Sequence, residues 1–78
     1  MTYHVVRTLT SADRHRRVEI YRRDAGSFGF RELRWELQEG CWVPFGRYAE
    51  SFTDSAERAE SEARSRIAWL AAEVEEIL

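Results

Sequence analysis

Lysine is absent from this chain of 78 residues, and all twelve of its basic side chains are arginine. That bias points to a GC-rich, bacterial genome more than to any demand for guanidinium chemistry. A lone cysteine, Cys41, rules out an intramolecular disulfide. With no signal-like apolar segment after Met1, it suggests a reducing cytoplasm. No apolar run approaches the roughly 18 residues that a membrane-spanning helix needs. Pro44 is the only proline and there are four glycines, so nothing resembles a linker, a repeat or a low-complexity tract. At this length residues 1–78 form one domain, which buries only about 60% of the surface its unfolded chain exposes.

What is present divides into two parts. Residues 1–35 hold eight arginines against Asp13, Glu19, Asp24 and Glu32, whereas residues 36–78 hold four arginines against ten acids. A basic half and an acidic half suit an anionic partner or a head-to-tail contact, although solvation of different surfaces would give the same pattern.

The acidic half ends in a helix pattern. Ala56, Ala59, Ala63, Ile67, Leu70, Val74 and Ile77 recur at steps of three and four, the stripe of one helix face. Asp54 and Glu57 read as an N-cap and its capping-box partner, and Glu60–Arg64 and Glu62–Arg66 are i,i+4 pairs. Without glycine or proline, residues 54–78 are expected to form one long helix.

The basic half and the middle alternate as strands. Val18 and Ile20, then Leu33, Trp35 and Leu37, then Cys41, Val43 and Phe45 mark three runs, and Tyr3–Leu9 offers a fourth. Gly26 and Gly40 fall where hairpins turn. Phe28 and Phe30 are out of phase with Leu33, Trp35 and Leu37, which calls for a bulge near Arg31–Glu32 or places the two phenylalanines on the opposite face. Pro44 assigns its run to a sheet edge. The expected fold is α+β: a two-layer, antiparallel β-meander of three or four strands packed against one long C-terminal helix. Its core would hold Val18, Ile20, Leu33, Trp35, Leu37, Val43 and Phe45.

The residues with chemistry form no catalytic pattern. His4, His15 and Cys41 lack metal-ligand spacing, Cys41 reads as a small buried hydrophobe, and Gly26-Ser27-Phe28-Gly29 lacks the lysine of a phosphate loop. The chain reads as a non-enzyme with no cofactor and no metal.

Two binding readings compete. Ten aromatics exceed what one small core hides. Trp69 projects off the helix stripe, and Val74, Ile77 and Leu78 would overrun strands about 27 Å long on a helix of about 37 Å. A protein partner, with a homodimer as the simplest case, would cover these residues, and Trp42 and Tyr48 are further candidates for contact or for holding a small molecule. In the second reading Arg14, Arg16, Arg17, Arg22 and Arg23 contact phosphates while Tyr21 and Trp42 stack on bases. A sheet carrying one helix resembles the arm-binding domains of phage-type integrases in topology alone, and none of their signature residues is present. That resemblance implies nucleic-acid binding, against which stands a sequence pI near 5.7.

Overall fold

The computed structural model describes residues 3–46 and 51–77, with the side chains of the final helix only as far as residue 72. Four strands, β1 (Tyr3–Thr10), β2 (Arg16–Arg23), β3 (Phe28–Glu36) and β4 (Cys41–Phe45), precede two helices, α1 (Ala56–Arg66) and α2 (Ala68–Ile77). The strands form one antiparallel sheet in chain order, so the α+β meander is the observed architecture.

Three polar turns set this order. Gly26 and Gly40 turn at φ 96° and 64°, conformations that cost a glycine little. The β1–β2 turn has no glycine. Ser11 Oγ accepts from the Arg16 amide and donates to Asp13 Oδ1, which also accepts from the His15 amide. The Ser11 hydroxyl, followed by that amide, holds the Asp13 carboxyl below its ordinary pKa. Arg14 sits in this turn at φ 63°, an unusual position for a residue with a Cβ.

The register decides the core. Val18 lies opposite Glu32, Ile20 opposite Phe30 and Arg22 opposite Phe28, with no slip along β3. Phe28 and Phe30 therefore share the helix-covered face with Val18 and Ile20: of the two alternatives, the face opposite Leu33 and Trp35 holds and no bulge forms near Arg31–Glu32. The bulge lies instead in β1, where the register shifts between Val5 and Arg7. Leu33 and Trp35 point to the opposite face, and Leu37 is in the β3–β4 turn, 82% exposed. Alternation misleads here because Leu33 and Trp35 follow the same period as the true core residues but one position out of phase. Cys41, expected inside, is exposed, since the short edge strand β4 runs beyond the area the helices cover.

The core consists of Val18, Ile20, Phe30, Ala59, Ala63, Ile67 and Leu70, with Leu9, Phe28, Ala56 and Trp69 packed around it. The helix stripe is as the spacing predicts, but the helix is not continuous. Ile67 adopts an extended conformation (φ −108°, ψ 106°), closes α1 by donating its amide to Ala63 O, and offers its own carbonyl to Leu70 and Ala71. Its side chain stays buried through the break. Neither glycine nor proline marks the site, so only the tertiary packing of Ile67 identifies it. The cap is also one residue later than expected. Ser55, not Asp54, is the N-cap, its Oγ accepting from the Arg58 amide at 3.1 Å.

Two carboxylates are drawn into the helix–sheet layer. Glu60 is 8% exposed and is clasped by Arg7 from β1 and by Arg64 one helical turn on. This hydrogen bond and charge raise the Arg7 pKa above its ordinary value. Glu32 is 5% exposed and accepts from the Trp69 indole at 2.9 Å and from Arg16 at 3.4 Å. Both are buried with partners, as an ionised group in such a layer requires.

Two outcomes test this layout. Phe30→Ala should cost about 3–5 kcal/mol by opening a cavity in the core, whereas Leu37→Ala should leave the denaturation midpoint nearly unchanged. Ser55→Ala should lower stability by about 1 kcal/mol, and Asp54→Ala by far less, because only Ser55 satisfies a first-turn amide.

Candidate interaction surface

The helices cover one face of the sheet and leave the other open. Strand alternation puts Tyr3, Val5, Thr8 and Thr10 of β1 on the open face. It also puts there Arg17, Glu19, Tyr21 and Arg23 of β2, Gly29, Arg31, Leu33 and Trp35 of β3, and Trp42 and Pro44 of β4. The β1 bulge matters for this. Without the extra residue, Tyr3 and Val5 would share the covered face with Arg7 and Leu9.

This face is shielded by guanidinium groups lying over rings. Arg17 stacks on Trp42 at 4.2 Å, Arg23 on Phe52 at 3.9 Å and on Tyr21 at 5.0 Å, and Arg31 on Tyr3 at 5.0 Å. Trp42 is directly opposite Trp35, the rings meeting edge to face with centroids 5.5 Å apart. Beneath them Leu33 is buried although no helix covers it. Arg31 is tied to Glu19, its Nε donating at 2.7 Å. Arg23 donates to Tyr21 Oη at 3.0 Å and to the Ser51 carbonyl at 2.9 Å. Burial pushes the Tyr21 phenol up, Arg23 pulling it the other way.

The segment after β4 forms the rim. Thr53 and Phe28 exchange backbone hydrogen bonds of 2.8 and 2.9 Å, and Ser51 Oγ accepts from the Phe30 amide, so this segment continues the sheet edge where β4 stops. Gly29 fits beneath it only because it has no side chain: a Cβ there would meet the Ser51 carbonyl oxygen at 2.7 Å and Tyr21 Oη at 2.9 Å.

The residues expected to contact phosphate do not form one patch. Arg17 and Arg23 are on the open face, Arg16 and Arg22 on the covered side, and Arg14 in the turn. Arg16 is held by Glu32 and stacks on Phe45. Of the expected partner contacts, Trp42 is on the open face, while Trp69 packs on the protein's own core. Tyr48 and Leu78, and the side chains of Val74 and Ile77, are outside the described residues. A single overrunning helix, the basis for expecting a dimer there, is replaced by two short ones. Sequence reasoning counted Arg31 among the available guanidinium groups but assigned Trp35 and Leu33 to the helix-covered core, because the face each takes depends on strand phase.

Among the described residues no three His, Cys, Asp or Glu side chains gather as metal ligands, and no helix is long and apolar enough to cross a membrane. His4 faces Asp24 at 3.6 Å and His15 faces Asp13 at 3.9 Å, two separate exposed pairs. No protein-family model, curated protein or solved structure matches the chain.

Gly29→Ala should lower stability by about 1–3 kcal/mol through overpacking against Ser51, read as a shift in the denaturation midpoint. An unchanged midpoint would mean that residues 51–53 do not hold the rim.

Proposed function

We propose that this protein is an interaction module that binds another protein on the open face of its sheet. The observation that carries the reading is the composition of that face, where tryptophan, tyrosine and arginine cluster with a single carboxylate, Glu19, among the described residues. These side chains supply most of the binding energy at protein interfaces, and charged residues other than arginine are scarce at interface centres. The stacked guanidinium groups are held in place before any partner arrives, which lowers the entropy lost on binding.

Nucleic acid is the second reading, favoured by three arginines and two tryptophans on one sheet face. Base stacking needs an open ring face, and Arg17 covers Trp42 just as Arg31 covers Tyr3. That occupation favours a protein partner.

Photo-crosslinking in cells tests the reading. Benzoylphenylalanine replacing Trp35 or Thr10 should yield nuclease-resistant protein adducts, and the same group at Ser61 or Arg66 on the exposed side of α1 should not. Nuclease-sensitive adducts at positions 35 and 10, with oligonucleotide binding that weakens about tenfold or more between 50 and 200 mM salt, would establish the second reading instead. Equal adducts on both sides would remove the open face from consideration.

A further inference from the structure

The charge of the open face and the state of one arginine specify the partner further. We propose that this face receives an acidic segment of a different protein, whose aspartate or glutamate carboxylate docks on the guanidinium of Arg17. The inference rests on the open face being a protein-docking surface.

Each arginine of the face can be accounted for in turn. Arg31 is neutralised by Glu19, and Arg23 is bound by the Tyr21 hydroxyl and by the Ser27 hydroxyl and the Ser51 carbonyl. Arg17 has no carboxylate and no hydrogen-bond acceptor among the described residues, and its Nε is buried without one. The contrast is Arg64, whose Nε is orphaned in the same way but whose terminal nitrogen holds Glu60. The difference is at the terminal nitrogens: Glu60 takes one of Arg64, whereas the guanidinium of Arg17 has no carboxylate among the described residues and can take one from a partner.

The surroundings define that partner. Trp42 fixes the plane of the Arg17 guanidinium, and Trp35 fixes Trp42. A planar fork held this way matches a carboxylate through two parallel hydrogen bonds. Leu33, directly opposite Arg17, and Pro44 beyond it give the site an apolar floor that strengthens the ion pair by excluding water. Phosphate is the poorer fit, since among the described residues the other two arginines of the face are already engaged and no second guanidinium stands ready beside Arg17. One carboxylate flanked by apolar side chains matches the face.

A second copy does not fit. Two open faces packed together would set Arg17, Arg23 and Arg31 of each copy against those of the other, which is unfavourable. The helices, whose excess of acid comes from α2 alone, are on the far side of the sheet, so a helix-to-sheet contact between copies cannot close two-fold and would continue as an open chain.

The test uses a short peptide bearing glutamates spaced by valine and serine, its glutamine counterpart and an oligothymidylate of similar length. Each is titrated into isotope-labelled protein. The glutamate peptide should shift the indole N–H signals of Trp35 and Trp42 and the Nε–H of Arg17, and should bind about tenfold or more tightly than the glutamine peptide. Arg17→Gln should abolish that preference and Arg17→Lys should recover only part of it, while Arg14→Gln in the exposed turn leaves it intact. Equal binding of the two peptides, shifts confined to the helices, or no binding of either peptide would overturn the acidic partner, as would tighter binding of oligothymidylate. If position-specific protein adducts persist at residues 35 and 10 while the peptides show no charge preference, only the acidic partner falls. If the adducts also fail, the docking surface falls with it.

Discussion

The close approach of α1 to the middle of the sheet is the contact on which the rest of this small structure depends. Ala59 and Ala63 are fully buried against the layer formed by Val18, Ile20 and Phe30, and side chains that small let the helix sit near the strands. One short helix seated on β2 and β3 cannot also cover β1 and β4. The outer strands are left to find other partners, and the features of the protein that are not simple packing follow from that shortage of cover.

On the helix side the deficit is met with charge. Arg7 reaches from β1 to Glu60, and Arg16 from β2 together with Trp69 from α2 reaches Glu32. Glu60 thus ties β1 to α1, and Glu32 ties α2 to the sheet. Removing one member would strand a charge in a dry place, which is far more costly than the pair is stabilising. These clusters fix the positions of β1 and α2 more than they add to stability.

On the open side the solution is aromatic. Arginine guanidinium groups lie over Trp42, Tyr21, Tyr3 and Phe52, covering one face of each ring, while Tyr3 and Phe52 remain exposed. A surface arranged in this way is ordered without being sealed. It can give up water to a partner at small entropic cost, and the unmatched Arg17 supplies a point of chemical selection within it.

The sequence by itself left β1 open, but it determined the two layers, the meander order of β2, β3 and β4, the hairpin glycines and the alanine-rich helix stripe. All of these follow from local periodicity and turn chemistry, which need no knowledge of distant residues. It did not determine which of two alternating sets in β3 is the core. Phe28, Phe30 and Glu32 compete with Leu33 and Trp35 on nearly equal terms, and the pairing of Ile20 with Phe30 across β2 and β3 resolves the choice. A glutamate in the winning set disguised it, because the value of burying Glu32 comes from Trp69, 37 residues away. The break at Ile67 was hidden for a similar reason, since no local residue disfavours helix there. The open face, and with it the candidate site, came into view only once the phase was known, because the same tryptophan is core or contact according to the side of the sheet on which tertiary pairing sets it.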